Sequence, residues 1–125
     1  MNTITSSPIF ERLSVLGDET RTRILSLLDG SEFTVSELCA VLQVPQPSVS
    51  RHLKALASDG WVKARAEGRN RHYHLSPQLD DAARSLWRIV HDEVGGSSVY
   101  RADAERARSV LEKRRMRATE FFAES

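Results

Sequence analysis

Apolar residues return at helical spacing through most of the chain, and short polar or glycine-containing breaks separate the runs. Ile9, Phe10, Leu13 and Leu16 mark a first helix, with Ser7 as its cap and Pro8 at its first position, where a missing N–H is harmless. Gly17 interrupts it. Asp18 then caps a second helix carrying Ile24, Leu25, Leu27 and Leu28, and Gly30 ends that one. Thr34-Val-Ser-Glu37 is a capping box, which predicts a third helix with Leu38, Val41 and Leu42 that stops near Gln43-Val-Pro45. Pro47 suits the first turn of a fourth helix, from about Pro47 to Asp59 and closed by Gly60. Two short helices joined by so short a turn form a helix-turn-helix unit.

The period then changes. Trp61–Arg65 and Arg71–Leu75 are rich in β-branched and aromatic residues, and the polar turn Ala66–Asn70 between them predicts a β-hairpin with a basic tip. Ser76-Pro77 repeats the cap-and-proline signal ahead of a helix through Leu79, Ala82, Ala83, Leu86, Ile89 and Val90, ending near Val94. Gly95-Gly-Ser-Ser98 reads as a flexible joint. A last helix from Ala102 to about Phe122 carries Ala107, Val110, Leu111, Ala118 and Phe121. The order α-α-α-α-β-β-α-α is mainly helical with one small hairpin, which is the pattern of a winged helix-turn-helix domain with extra helices at both ends.

Composition bounds this picture. The 125 residues suit one domain, and no apolar run approaches the roughly 20 residues that span a bilayer. The N-terminal stretch lacks the basic and apolar regions of a secretory signal, and Cys39 is the single cysteine, so a cytoplasmic protein is expected. The formal net charge of +1 is unevenly spread. Between Gln46 and Leu75 six basic residues face only Asp59 and Glu67, a local +4 that leaves −3 for the rest. Alone, such a surplus is most often a solvated face.

The fourth helix gives it direction. Val49, Leu53 and Leu56 fall within about 60° of one another, so they face the core. Arg51 and Lys54 point away, flanked by the short residues Ser48 and Ser50. Such a face can enter a major groove, with Arg51 and Lys54 reaching base edges or phosphates. His52 lies beside it, and Arg65, Arg69, Asn70 and Arg71 of the hairpin would meet the adjacent minor groove or its phosphates. The plainer alternative is a core helix with a wet outer face. The conjunction of tight turn, cationic helix and cationic hairpin favours double-stranded DNA.

The residues also carry a resemblance. Leu16-Gly-Asp-Glu-Thr-Arg-Thr-Arg-Ile-Leu-Ser-Leu-Leu28 is similar to the opening motif of the ArsR/SmtB family of bacterial repressors, with Glu19 where proline is usual. Val35–Cys39 and Gln46-Pro-Ser-Val-Ser-Arg-His-Leu-Lys-Ala-Leu56 resemble its helix-turn-helix, and Gly60–Leu75 its wing. The resemblance implies a homodimer on operator DNA, released by an effector. Gln46 joins the expected DNA-contact set, and the first helix and the one after the wing become the expected dimer interface. Its residues would be Ile9, Phe10, Leu13 and Leu16, with Leu79, Ala83, Leu86, Trp87 and Val90.

The family's metal sites are broken in this chain. Val41 stands where a second thiolate would join Cys39, Ala82 and Ala83 follow Asp80 and Asp81 where histidine is needed, and Val94 follows His91. His72 and His74 share one strand face, a spacing able to hold a metal but more often simply exposed or turned to phosphate. No metal and no cofactor are expected. The stretch from Arg101 to Phe122 resembles the linker joining such domains to a class I methyltransferase, which would make this a stand-alone relative or a chain ending short of that domain. That likeness implies an effector related to S-adenosylmethionine, although the helix could equally be a dimer extension. Residues 1–94 would then form the DNA-binding and dimerisation domain, 95–100 a joint and 101–125 the terminal helix. No glycine-rich phosphate loop, nucleophile elbow or metal cluster suggests an enzyme. The competing class is a protein-interaction module, such as the regulatory arm of a methyltransferase. It would not need the cations at Arg51, Lys54 and Arg69–Arg71.

Overall fold

A computed structural model describes residues 8–123; Ser7, expected to cap the first helix, lies outside them. The elements are α1 (Pro8–Leu16), α2 (Glu19–Leu28), α3 (Val35–Leu42), α4 (Gln46–Ser58), β1 (Val62–Glu67), β2 (Asn70–Leu75), α5 (Asp81–Val94) and α6 (Ser98–Ala123). Local chemistry accounts for most of the boundaries. Asp18 caps α2 by accepting from the Arg21 amide at 3.0 Å. Thr34 and Glu37 form the reciprocal box at α3, at 3.2 and 2.9 Å, so two amides left open by the helix geometry are satisfied.

The core lies where α2, α3 and α4 meet the base of the hairpin. Ile24, Leu25, Leu38, Val41, Val49, Leu56 and Trp61 are fully buried there. Burial of each aliphatic side chain of this size contributes roughly 1.5–3 kcal/mol relative to exposure. The Trp61 indole N–H is not stranded, because it donates to Asp59 Oδ2 at 2.8 Å. Arg12 ties α1 to this centre. Its guanidinium lies 5.7 Å from the Trp61 ring centroid and pairs with Asp59 at 3.1 Å and Asp80 at 3.0 Å.

The hairpin is longer than the sequence suggested. Strand pairing runs from Val62↔Leu75 to Glu67↔Asn70, so the loop is only Gly68-Arg69 rather than Ala66–Asn70. Gly68 has φ +63°, and among the described residues Gln43 is the one non-glycine with positive φ. Glycine at the first central position of a two-residue hairpin loop matches the twist of the strands. Phe33 adds a bridge to Tyr73 through two backbone hydrogen bonds, at 3.1 and 2.9 Å, which the sequence did not reveal.

Two other boundaries differ. Ser76-Pro77 does not open α5. The Ser76 amide is tied to the Trp61 carbonyl at 2.8 Å, and its hydroxyl accepts from Gln78, so this stretch finishes the hairpin as a turn. Asp80 is the cap instead, accepting from Ala83 at 2.8 Å. The last helix starts at Ser98 rather than Ala102, taking in positions read as joint. It lies back on α2 and α3, with Tyr100, Asp103 and Ala107 buried.

Candidate nucleic-acid interface

Helix α4 is oriented by its buried stripe, Val49, His52, Leu53 and Leu56. Arg51 and Lys54 are therefore outside and exposed, while Ser48 and Ser50 are half-buried on its flanks. Gln46, Ser50 and Lys54 follow one another a turn apart, and the Gln46 amide donates to the Ser50 hydroxyl at 2.8 Å. No acidic residue sits in the first turn of α4 and no side chain caps it, so the positive end of its dipole is unopposed.

Between this helix and the hairpin runs a groove of two adjoining cavities, about 500 and 260 Å3, which share Val35, Arg71 and Tyr73. Gln46, Arg69 and Asn70 line the first, and Ser50, Lys54 and Lys63 the second. No carboxylate lines either one. Among the described residues Arg51, Lys54, Lys63, Arg69 and Arg71 have no ion-pair partner; Arg21, Arg88, Arg101, Lys113 and Arg117 elsewhere also have none, so what marks the first five is their place on α4 and the hairpin with no carboxylate lining the groove between them. Five cations left uncompensated on one side of a nearly neutral molecule set up a local positive field.

Two residues expected on this surface sit elsewhere. His52 is turned inward, 7% exposed, with Nδ1 3.3 Å from Arg21 Nη1 and 4.0 Å from Asp18 Oδ1. Its spacing from Val49 and Leu56 places it on the core stripe. Burial lowers its pKa, Asp18 opposes that, and the charges of Arg21 and Arg51 add to the lowering. Arg65 lines neither cavity; Ser48 and Arg51 do not either, but Arg65, paired with His72 across the hairpin, is off the face that carries Tyr73 and Arg71 and is engaged by carboxylates. It binds Glu32 at 2.8 Å and Glu67 at 3.3 Å, and the hydrogen bond from Arg65 holds the Glu32 carboxyl below its usual range. His72 and His74 stand beside these same carboxylates, at 3.3 Å from Glu67 and 3.5 Å from Glu32. The groove also recruits residues the sequence did not assign to it, namely Thr34, Ser36, Lys63 and Tyr73. Tyr73 could have been found from strand alternation, since it shares a face with Arg71.

Of the expected dimer set, Phe10 and Leu13 on α1 are exposed, while Ile9, Leu86 and Val90 are partly so. Leu16, Leu79, Ala83 and Trp87 are already buried within the single chain, the Trp87 indole donating to Asp29 at 2.9 Å. Ile89, outside that set, is 65% exposed on α5, which packs against α1. Among the described residues no helix is long and apolar enough to cross a membrane.

This arrangement of a helix-turn-helix followed by a two-stranded wing defines a winged-helix DNA-binding domain. Residues 18–64 match the family described as bacterial regulatory protein, arsR family. The arsenical resistance operon repressor of Escherichia coli (strain K12) is 38% identical over 85 residues, covering 64% of this chain and 73% of that protein. Reduced HlyU from Vibrio cholerae superposes with a TM-score of 0.61 at 29% identity, over 70% of this chain and 88% of that one. A homodimeric winged helix-turn-helix DNA-binding domain from Mycobacterium bovis gives a TM-score of 0.59 at 30% identity, over 70% and 81% of the two chains. The chain belongs to the arsR family and is a DNA-binding transcriptional regulator.

Proposed function

We propose that the protein is a homodimeric repressor acting in the cytoplasm, which lays α4 in the major groove and sets the wing tip on the flanking backbone. The observation that carries this reading is a groove without carboxylates lined by four unpaired cations, Lys54, Lys63, Arg69 and Arg71, with Arg51 exposed on the same helix as Lys54. Gln46, Ser48, Ser50, Arg51 and Lys54 sit on or beside the outer ridge of α4 and can reach base edges, while Lys63, Arg69, Asn70 and Arg71 suit phosphates. Thr34 and Ser36, at the start of α3, border the same groove and suit phosphate as well. Arg65, already neutralised by Glu32 and Glu67, contributes least.

Two-fold pairing through α1 and α5 covers Phe10, Leu13 and Ile89 and presents two α4 helices to half-sites about one helical turn apart. The homodimeric relative from Mycobacterium bovis supports a homodimer. Release from DNA is assigned to a non-metal effector, and S-adenosylmethionine and its demethylated product are the compounds to titrate first by calorimetry. Absence of heat with both would remove that effector class.

The DNA reading is tested with duplex selected from random sequence by the purified protein. Affinity should fall steeply between about 50 and 200 mM salt, as expected when several phosphates are neutralised. Arg51→Ala should cost about 1–3 kcal/mol on the selected site and relax its sequence preference. Affinity insensitive to salt would overturn the proposal.

A further inference from the structure

Helix α6 lines neither cavity of the DNA-facing groove, yet it grips both ends of α3, the short helix from which the chain turns into α4. At the C-terminal end of α3, Arg106 Nε donates to the Val41 carbonyl and Arg23 Nη2 to the Leu42 carbonyl at 3.0 Å. Those oxygens belong to the last turn, where no helical amide is left to satisfy them. The next residue is Gln43, in the left-handed conformation at φ +58°, and its bend sets the direction in which α4 leaves. At the other end, Arg114 Nη2 donates to Glu37 Oε1 at 2.7 Å and to the Glu32 carbonyl at 3.1 Å. Glu37 is the acidic half of the α3 capping box, so the cap and the clasp share one carboxylate.

The two arginines at the Gln43 end are themselves fixed. Asp103 of α6 is 2% exposed and accepts from Arg23 twice, both at 2.8 Å, and from Arg106 at 3.0 Å. Tyr100, one turn earlier, hydrogen-bonds the Thr22 hydroxyl of α2. A buried charged cluster is a weak source of stability, since apolar residues of similar volume usually hold two helices as well or better. What it supplies is register. Apolar seams tolerate sliding, whereas an aspartate between two guanidinium groups has one satisfied arrangement.

We infer that Arg106 and Arg114 are positioning residues for DNA reading: they hold the two ends of α3 and thereby fix the orientation of α4 relative to the wing. The inference rests on the reading that α4 and the wing meet the duplex. It makes α6 an input to DNA binding, because any event that lifts α6 withdraws Arg106 and Arg114 from the two ends of α3 at once, leaving Arg23 of α2 alone on the Leu42 carbonyl.

The test uses the full chain and two variants, Arg106→Gln and Arg114→Gln, studied at a temperature where circular dichroism shows each fully folded. Arg114 does not contact the buried Asp103, unlike Arg106, so Arg114→Gln keeps the test available should Arg106→Gln not fold. Three quantities are read: affinity for the selected site, affinity for an unrelated duplex of equal length, and amide resonances of residues 46–54 without DNA. A misplaced α4 should lower affinity for the selected site by about tenfold, leave the unrelated duplex within about twofold, and shift the α4 resonances. Arg114→Lys, which keeps a donor, should recover part of the loss. Unshifted α4 resonances with unchanged discrimination in a folded variant would overturn the inference. Arg71→Ala serves as control. If it weakens binding while the α6 variants do not, only the role of α6 fails; if it too is without effect, the docking surface itself is wrong.

Discussion

His52 illustrates how far a single residue can mislead and how its surroundings correct it. Next to Arg51 on a basic helix, it reads as a DNA contact, but its offset of three from Val49 and four from Leu56 belongs to the buried stripe. The periodicity was therefore present in the sequence; what was absent was Arg21 and Asp18, brought to it from another helix. Burial, with the charges of Arg21 and Arg51, lowers its pKa despite Asp18. The unfolded chain consequently takes up a proton near the ordinary histidine value of about 6.5, before the folded protein does. Stability is then complete above that pH and declines as the pH falls through it. Urea midpoints measured from pH 8 to 5.5 should show this decline, and His52→Gln should flatten it. An equally steep decline in the variant would place the acid sensitivity elsewhere.

Among the elements, those governed by residues three or four positions apart were legible in advance. The Thr34–Glu37 box, the Asp18 cap and the stripe of α4 are of this kind. Features set by distant partners were not. The Phe33–Tyr73 bridge joins residues forty positions apart through backbone groups that every residue carries. Ser76-Pro77 has the local form of a helix start, but the Trp61 carbonyl claims the Ser76 amide, and Asp80 takes over. The wing shows the same division. Its basic character was plain, yet which cations remain free depended on Glu32, which lies far away in sequence and binds Arg65. Binding measured across a salt series should separate them. Arg71→Ala should reduce the slope of log affinity against log salt by about one phosphate contact, and Arg65→Ala by clearly less. Equal reductions would mean that Glu32 does not compensate Arg65 on DNA.

At the scale of the whole molecule, three surfaces divide the work: a cationic groove between α4 and the wing, an apolar α1–α5 pair, and α6 against α2 and α3. Part of the groove was legible from one stretch of sequence, which assigned to it Gln46, Ser50, Lys54 and Arg69–Arg71 but not Thr34, Ser36, Lys63 and Tyr73. The seat of α6 was not, since Asp103, Arg106 and Arg114 look like ordinary members of a charged helix until Arg23, Val41 and Glu37 are opposite them. For the α1–α5 pair, Leu13→Glu together with Ile89→Glu should convert dimers to folded monomers in analytical ultracentrifugation, and affinity for a two-half-site duplex should drop with them. Persistence of the dimer would move the interface to another face. The assignment of α4 and the wing as the DNA-reading surface is decided by titrating the selected duplex into isotopically labelled protein and following backbone amide resonances. The largest changes should fall on Gln46, Ser50, Arg51 and Lys54 and on Gly68–Arg71, with the end of α6 from Met116 to Phe122 unmoved. Changes centred on α5 or α6, with α4 and the wing tip still, would contradict it.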